Sequence, residues 1–431
     1  MRILLLCDYR PFNAATVTDH INAFIDLSVH QIFVYSGLVM NQGRLPEDID
    51  LNEFDAVMVH YSIFISIDAY LSPRSRNRLK NFRGIKVVFI QDEYRSVNAT
   101  VDQLKNMRFD ILFTCVPKKE IEKVYPEEKL PSLKKINTLT GYVSAQLLNY
   151  KPIPISKRKY DVSYRGRKYP SWHGRMGREK WNIAELFKKK AFKKGLRTNI
   201  SCKESKRLYG SSWTNLIQDS RAVLGVESGA SVFDFTGRIA AKTETITKLL
   251  GEKQLKKNKM DQTYYRDHED KINLAQISPR IFEAIALRTL CVLYEGNYSG
   301  VLKPWEHYIP LKKDHSNFDE VVKAIKKDET VAKIITNAYG EIAVNIKYSY
   351  NKFIEQFDRE LEFLLKSEKT GAGRKKFKFK EPKDFYEKFP FFQINNPYGL
   401  VIPFRYRIFS KFVLLFPEKL KMYIKKMIHQ G

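Results

Sequence analysis

The sequence has few cysteines, no metal-ligand spacing and no long apolar run, and these absences exclude several classes of protein. No CxxC pair occurs among its four cysteines, Cys7, Cys115, Cys202 and Cys291, so zinc-ribbon and thioredoxin-like sites have no support. No HExxH or similar spacing predicts a metal site. No stretch of about 18 apolar residues predicts a transmembrane helix. The N-terminal apolar run 3–7 is too short for a secretory signal. We therefore expect a cytoplasmic protein without a resident metal or cofactor.

The positive charge is not spread evenly along the chain. The 431 residues include 75 Lys and Arg against 48 Asp and Glu, a formal net charge of +27. Residues 151–210 carry 19 positive and 4 negative charges, and residues 371–431 carry 14 and 4, whereas the rest is nearly balanced. Such excess favours an anionic partner, which could be a phosphate group, nucleic acid or an anionic membrane.

Short apolar strands alternate with helical stretches along most of the chain, which predicts an α/β fold with two doubly wound parallel sheets. The first set of strands lies in residues 1–150 and the second in residues 151–370, after a linker rich in Pro and Lys. The second unit is expected to contain an insertion at about 230–277 and terminal helices at 340–368. Residues 371–431 form a basic tail rich in aromatic residues, without strand–helix alternation.

Ligands of open α/β sheets bind at the carboxyl ends of the strands, so the residues that follow each strand are the candidates for a site. In the first domain these include the titratable residues Asp19, His20, His60, Asp92 and Glu93. Their side chains suit acid–base chemistry. The alternative for each residue is helix capping or a loop salt bridge.

In the second domain the first strand ends in Tyr-Arg-Gly-Arg, followed by further basic residues before a helix. This order suits a phosphate site, with Arg165, Arg167 and Arg175 as the candidates, although a solvated basic face is the alternative. A later strand is followed by Glu227-Ser228-Gly229, and the sequence Ser278-Pro-Arg280-Ile-Phe-Glu283 opens a helix with a proline near its first turn. Glu283 could accept hydrogen bonds from ribose hydroxyls, or could simply interact with the helix N-terminus.

Residues 278–295, SPRIFEAIALRTLCVLYE, resemble the E-A-x-A-x-G-x-x-V segment of group 1 (family 4-like) bacterial glycosyltransferases, which have the GT-B fold. The blocks YRGR, ESGAS, SPRIFEAIALRT and YSGVLKPWEHYIPL resemble, in this order, an uncharacterised branch of those enzymes. The resemblance covers about residues 1–360. It implies two Rossmann-like domains facing across a cleft, with the acceptor on the first and a nucleotide-sugar on the second.

The resemblance also implies roles for particular residues. Glu283 matches the second Glu of the E-x7-E motif, which binds the ribose, but Ala275 stands at the first position and Arg288 replaces the usual Gly. We hypothesise that Glu227 takes the place of the first Glu. The loop 295–300 would face the donor sugar through Glu295, Tyr298, Ser299 and Gly300. Such enzymes usually need no metal. An inverting enzyme would need a base, for which His20 or Asp19 is favoured, and a retaining enzyme would not.

The sequence therefore predicts a glycosyltransferase that extends a glycan or lipid-linked acceptor in bacterial surface polysaccharide synthesis, with no nucleic acid as partner. The tail 371–431 would hold it on the anionic inner face of the cell membrane, unless its aromatic residues pack on the two domains. The alternatives are a nucleic-acid-binding protein, suggested by charge alone, an inactive GT-B scaffold that binds nucleotide, and a nucleotide-sugar epimerase.

Overall fold

The computed structural model describes residues 1–10, 13–257, 265–367 and 379–390. Within them the chain forms two parallel β-sheets, each flanked by helices. The strands of the first sheet are β1 Arg2–Leu6, β2 Gln31–Tyr35, β3 Ala56–Val59, β4 Ile85–Ile90, β5 Ile111–Thr114 and β6 Lys134–Asn137. Its helices are α1 Ala15–Leu27, α2 Pro73–Asn81, α3 Val97–Met107, α4 Ile121–Val124 and α5 Ala145–Leu148.

The first sheet has the order β2-β1-β3-β4-β5-β6, and every pair is parallel. The central strands are buried on both faces, which is why they consist of continuous apolar residues. Strand β6 has the polar sequence KKIN and lies at the edge, where one ladder of backbone groups and part of its side chains stay accessible. Because of this polar composition, an apolar strand pattern does not reveal β6.

The second sheet has the order β11-β10-β9-β7-β8 and is also entirely parallel. Its strands are β7 Tyr160–Arg165, β8 Thr198–Ser201, β9 Ser220–Gly225, β10 Leu290–Tyr294 and β11 Ile309–Leu311. Its helices are α6 Gly174–Lys193, α7 Ser211–Gln218, α8 Arg238–Lys257 with a kink at Gly251, α9 Pro279–Ala286, α10 Phe318–Lys326 and α11 Asp328–Ala338. The predicted fold class is confirmed: two doubly wound α/β domains follow one another along the chain.

The terminal helix α12, Tyr350–Ser367, crosses back to the first domain, although the sequence prediction placed it in the second. It packs on α1, and its buried residues Phe353 and Phe357 contact Phe24 and the stacked rings of Phe89 and Phe113. The segment that returns to the first domain lies beside the segment that leaves it, since the amide of Val143 donates a hydrogen bond to the carbonyl of Tyr348 at 2.8 Å. The apolar side of α12 covers one face of the first sheet. The sequence of the helix shows that it has an apolar side but does not show which domain that side covers.

The predicted insertion contributes to the boundary between the domains. Asp234 forms a bridge with Arg95 of the first domain, and the amide of Asn98 donates to the carbonyl of Phe235 at 2.9 Å. Phe233 and Tyr265 belong to the same apolar cluster as the first sheet. The region is therefore a packed connection between the domains as well as an elaboration of the second.

Part of the predicted tail also packs on the first domain. Helix α13, Pro382–Lys388, lies on β2, where Phe385 is fully buried and the hydroxyl of Tyr386 donates to the carbonyl of Ile32 at 2.9 Å. The guanidinium of Arg2 donates to the carbonyl of Lys380 at 2.9 Å. These residues follow the alternative in which the aromatic side chains pack, whereas residues 371–378 and 391–431 of the predicted tail lie outside the described part of the chain.

None of the helices formed by the described residues is both long and apolar enough to span a membrane.

Replacing Phe357 by Ala should lower the free energy of unfolding by about 3–5 kcal/mol, because the side chain is fully buried among aromatic rings that cannot close the cavity. Urea denaturation measures the change. Phe363→Ala on the same helix is the matched control. Its ring is 63% exposed and contacts the Lys134 ammonium at the surface, so the loss should stay under about 1 kcal/mol. Equal losses in the two variants would show that α12 does not depend on its buried face.

Candidate active site

The carboxyl ends of the two sheets meet across a cleft between the domains. Residues that follow β5 and β6 contact the segment before α9: the side-chain amide of Gln276 donates to the carbonyl of Cys115, and the hydroxyl of Thr140 donates to the carbonyl of Ile277. Both sheets therefore present their ligand-binding edges to the same space, as expected for α/β sheets.

A group of basic side chains surrounds Tyr169 after strand β7. The Arg167 guanidinium lies 4.5 Å from the centre of the Tyr169 ring, and the Lys180 ammonium lies 4.4 Å from it. Burial alone would raise the pKa of Tyr169, but the charges of Lys180, Arg167 and Arg280 hold it below its usual value. We call Arg167, Tyr169, Lys180 and Arg280 the basic cluster. Burial lowers the pKa of Lys180, the charges of Arg167 and Arg280 add to the shift, and Tyr169 and Asp92 oppose it.

Two glycines allow Lys180 to reach this position. Helix α6 begins at Gly174, which has a φ of +68°, and a Cβ there would overlap the hydroxyl of Ser231. The Lys180 ammonium, nearly two turns further, donates to the carbonyl of Gly229 at 3.0 Å. Gly229 has a φ of +110°, and a Cβ there would overlap the carbonyl oxygen of Leu274. Any side chain at Gly229 would therefore displace the backbone that fixes the ammonium.

Two of the predicted phosphate ligands point elsewhere. The Arg165 guanidinium donates to the carbonyl and the side-chain oxygen of Asn199, both at 2.8 Å, so it fastens β7 to β8. The Arg175 guanidinium lies 2.7 Å from Glu179 and 2.9 Å from Asp270, in ion pairs outside the cluster. Both guanidinium groups bind partners outside the basic cluster. Their position in the sequence, close to β7, does not reveal these contacts.

Glu283 lies in the cleft on α9, and its environment is well defined. It is 8% exposed, and the indole N–H of Trp213 donates to its carboxylate at 2.7 Å. Burial raises the pKa of Glu283, while the Trp213 hydrogen bond and the Arg280 charge oppose the shift. Arg280 also stacks over the Trp213 ring at 5.5 Å and donates to the carbonyl of Arg165. Arg280 thus joins the basic cluster to the Glu283 end of the cleft.

Asp19 faces Glu283 from the first domain. Burial raises the pKa of Asp19 to about 7, the negative charge of Glu283 adds to the rise, and a hydrogen bond from Ser144 opposes it. Two carboxyl groups from different domains therefore repel each other at this end of the cleft.

Glu227 and the loop 295–300 hold each other. One oxygen of Glu227 accepts hydrogen bonds from the amides of Asn297 at 2.9 Å and Tyr298 at 2.8 Å, and burial raises the pKa of Glu227. The Ser299 hydroxyl accepts from the amide of Ile277 at 3.0 Å. The side chains of Glu227 and Ser299 therefore position this loop through backbone amides.

The remaining predicted donor residues divide between buried and open positions. The Tyr298 ring is buried with its hydroxyl on the Tyr294 carbonyl, whereas Glu295 is exposed and Gly300 faces open space. Ser228 pairs through its backbone with Gln276. Ser278 precedes α9 without a side-chain capping bond.

His20 and His60 lie beneath the cleft, in the core of the first domain. Their rings are 3.1 Å apart through Nδ1 of His20 and Nε2 of His60, and His60 also bonds the Ser62 hydroxyl at 2.9 Å. The rings of Phe24, Tyr61, Phe89, Tyr350 and Phe353 surround His20. Burial lowers the pKa of His20 to about 3 and that of His60 well below its usual value. Both rings are therefore enclosed in the core of the first domain, and the prediction of His20 as a base has no support from their position.

Asp92 and Glu93 follow β4 on the first-domain side of the cleft. Asp92 accepts a hydrogen bond from the Tyr94 hydroxyl at 3.1 Å, and its charge acts on Arg167 and Lys180. Glu93 is fully buried, and burial raises its pKa to about 8, although hydrogen bonds from Thr114, Tyr125 and the Cys115 amide oppose the shift. Asp92 therefore lies closest to the basic cluster among the predicted first-domain residues.

Sequence reasoning missed three residues of this site: Lys180, Tyr169 and Trp213. Lys180 belongs to the basic stretch after β7, but only the left-handed start of α6 brings it back to the strand end. Trp213 lies on α7, 70 residues before its partner Glu283, and no sequence spacing links the two.

One group of described residues has the geometry of a metal site, and it is already occupied by ion pairs. The carboxylates of Glu306 and Glu341 lie near His307, but the Lys303 ammonium is 3.0 Å from Glu306 and 3.7 Å from Glu341. Nδ1 of His307 accepts from the Lys303 amide at 3.2 Å while Nε2 lies 3.0 Å from Glu341. A cation would have to displace the lysine, so these contacts favour a salt-bridge network.

The arrangement of the two sheets is that of the GT-B fold. An α-glucosyltransferase solved in complex with UDP-glucose and DNA containing an abasic site has a TM-score of 0.52 and 13% identity, covering 83% of this chain and 99% of that one. An α-glucosyltransferase in complex with UDP gives a TM-score of 0.50 at 11% identity, with 83% and 99% covered. No protein-family model matches the chain, and no curated protein matches it. At these identities the structures establish the fold.

The raised pKa of Asp19 predicts a pH dependence of stability. The folded protein holds this proton with a pKa of about 7, whereas an unfolded aspartate has a pKa near about 3.9. The stabilising contribution is therefore complete below pH about 4 and is lost as the pH rises through 7. Asp19→Asn should remove this part of the decline, which urea unfolding between pH 4 and 8 measures. The same slope in wild type and variant would contradict the burial of Asp19 in the closed cleft.

Proposed function

We propose that the protein is a glycosyltransferase that uses a nucleotide-sugar donor. The observation that carries the proposal is the basic cluster, in which the cations Arg167, Lys180 and Arg280 lie around Tyr169 near the carboxyl end of β7 and face the first domain of a GT-B fold. Cations held at a cleft in this way stabilise the charge that develops on a leaving nucleotide diphosphate. They supply positive charge without requiring a metal, and metal independence is part of the proposal.

The donor would lie along the second domain. Its diphosphate would contact Arg167, Lys180 and Arg280. Its ribose hydroxyls would reach Glu283, whose carboxylate accepts a hydrogen bond from Trp213. The α-glucosyltransferases of similar fold were solved with UDP or UDP-glucose, which makes uridine nucleotides the first donors to test. The backbone of loop 295–300, fixed by Glu227, would border the sugar.

The acceptor would approach from the first domain. An acceptor oxygen attacks the anomeric carbon, the bond from that carbon to the diphosphate breaks, and the nucleotide diphosphate leaves with the bonding electrons. Asp92 is adjacent to the basic cluster and is the first candidate for receiving the acceptor proton in an inverting reaction. Asp19 lies nearer Glu283, at the ribose end, where its carboxyl group is better placed to contact the donor.

The class of acceptor follows from the sequence prediction of a glycan or lipid-linked acceptor in surface polysaccharide synthesis, and membrane attachment is proposed on the same basis. One α-glucosyltransferase of similar fold was solved with DNA beside UDP-glucose, so binding of DNA to this chain merits a direct test. Salt-dependent binding with a defined footprint would favour a nucleic-acid acceptor over a glycan. Nucleotide binding without transfer to any acceptor would favour the inactive scaffold.

Binding of UDP should stabilise the protein, by about 2.7 kcal/mol at a concentration 100 times the dissociation constant. Lys180→Met should weaken UDP binding about 10- to 100-fold, because a hydrogen bond to a charged group contributes about 1.5–3 kcal/mol. Thermal unfolding with increasing UDP measures both effects, with and without Mg²⁺. Arg175→Ala is the matched control, since that guanidinium pairs with Glu179 and Asp270 outside the cluster, and it should bind UDP as wild type does. No UDP effect on the wild type, or equal loss in the two variants, would refute this assignment.

Asp92→Asn should lower the release of UDP from UDP-glucose by about 100-fold or more if Asp92 is the general base, while UDP binding changes by less than about threefold. Coupled detection of UDP, with water or a panel of sugars as acceptors, gives the rate. Turnover at the wild-type rate would exclude Asp92 from proton transfer and favour a retaining reaction.

A further inference from the structure

The ring of Tyr169 is fixed by aromatic contacts on one side. Tyr169 lies in the turn between β7 and α6, and its ring meets the ring of His173 edge to face, with 5.0 Å between the two centres. His173 is buried, and its ring lies 4.1 Å from that of Trp172 and 5.3 Å from that of Tyr94 in the first domain. These contacts determine where the Tyr169 ring lies in the unliganded protein.

Two cations also contact this ring. The Arg167 guanidinium lies 4.5 Å from its centre and the Lys180 ammonium 4.4 Å from it. Like charges that are held so near each other repel, and the attraction of each cation to the electron-rich ring offsets part of that repulsion. Tyr169 therefore holds two positive groups together at the cleft without neutralising either of them.

The hydroxyl of Tyr169 lies in a positive environment. Burial raises the pKa of Tyr169, but the charges of Lys180, Arg167 and Arg280 and a hydrogen bond from Arg167 outweigh burial and hold the pKa below its usual value. A guanidinium can only donate, so the hydroxyl oxygen is the acceptor in that bond and the hydroxyl proton is not used in it. The same positive environment makes this proton a stronger hydrogen-bond donor than that of a tyrosine in water.

A diphosphate bound to the three cations would accept a hydrogen bond from this hydroxyl. Its oxygens carry negative charge and form strong hydrogen bonds with donors of this kind. Tyrosinate, in contrast, has no proton to donate and would repel the diphosphate. Binding of the diphosphate therefore favours the protonated tyrosine, which links occupation of the site to the ionisation of one side chain.

We propose that Tyr169 is a ligand-contact residue of the donor site, whose ring holds Arg167 and Lys180 together and whose hydroxyl donates a hydrogen bond to a diphosphate oxygen. The assignment rests on the proposed function, because it presumes that the donor diphosphate binds at the basic cluster. It adds an uncharged group to a site that otherwise binds the diphosphate through cations.

The ionisation of Tyr169 depends on groups from several elements. The charged and titratable groups that act on it or on its partners in the cluster come from β7, from the turn before α6, from α6, from α9 and from the first domain. They are Tyr164, Arg167, His173, Lys180, Arg280, Asp92, Tyr94 and Arg95. Lys180 also loses charge at high pH, so the affinity for UDP alone would not report on Tyr169. The absorbance of tyrosinate does, because only tyrosine contributes to it.

The test is a titration of the full chain with UDP between pH 7.5 and 10, followed by the near-ultraviolet absorbance of tyrosinate and, in the same samples, by calorimetry. At a pH where part of Tyr169 is ionised, UDP should lower the tyrosinate absorbance by up to one tyrosine per chain. The change should vanish towards pH 7.5, where the hydroxyl is already protonated.

Two substitutions separate the hydroxyl from the ring. Tyr169→Phe keeps the ring, so it should lose the absorbance change and bind UDP about tenfold more weakly at pH 7.5. Tyr169→Leu also removes the ring, and its affinity should fall by a further factor of about three or more, because both cation–π contacts are lost. Tyr339→Phe is the matched control. Tyr339 lies under the Arg288 guanidinium at 4.1 Å, outside the basic cluster, and this variant should keep the wild-type affinity and absorbance change.

Three outcomes would overturn the assignment while UDP still binds. UDP leaves the tyrosinate absorbance of the wild type unchanged at every pH, the change persists in Tyr169→Phe, or Tyr169→Phe binds UDP as tightly as the wild type does. Each of these would confine the failure to Tyr169. If calorimetry shows no binding of UDP to the wild type, the donor site itself is refuted, and the proposed function and the assignment of Tyr169 are refuted with it.

Discussion

The half-buried ammonium of Lys180 is the constraint on which the candidate donor site depends. A cation in a poorly hydrated position is expensive unless neighbouring groups or a ligand compensate for it. Here the compensation from its own domain is limited to the Gly229 carbonyl and the Tyr169 ring, and the nearby carboxylate of Asp92 comes from the other domain. This placement requires both the left-handed start of α6 and the glycine at 229. The site therefore gives up stability to keep positive charge available at the cleft.

Charge is distributed across the cleft in a way that separates two regions. At one end the carboxyl groups of Asp19 and Glu283 repel each other, and at the other Asp92 faces Arg167 and Lys180. Glu283 is restrained by Trp213, whereas Asp19 is restrained from its own domain by Ser144. In a nucleotide that spans both ends, ribose hydroxyls would donate hydrogen bonds to the two carboxyl groups, and the diphosphate would bind the cations. Binding would therefore favour approach of the two domains.

The sequence predicts the two domains because parallel strands buried on both faces leave a continuous apolar run, whereas the edge strand β6 leaves none. Among the residues of the candidate site, Arg167 could be predicted from its position after a strand, and Arg280 and Glu283 from the helix start at Pro279. Arg165 and Arg175 occupy equally suggestive positions, and only the contacts with Asn199, Glu179 and Asp270 separate them from the cluster. The position of His20 could not be predicted either. Tyr350 and Phe353 cover it from a distant part of the chain, and the sequence around His20 does not show whether such residues cover it. Contacts between residues far apart in the sequence determine which of the predicted residues lie at the candidate site.

The return of α12 to the first domain has a mechanical consequence. Two chain segments cross between the domains, and they are joined where the amide of Val143 bonds the carbonyl of Tyr348. Paired crossings resist twisting and sliding more than a single linker does, so the softest relative motion is rotation about a line through this pair. The first domain is also assembled from distant parts of the chain, since residues near 24, 89, 357 and 385 share its core. A fragment ending at residue 150 would lack the helix that covers its largest aromatic surface, and separate expression of the two halves would yield an incomplete first domain.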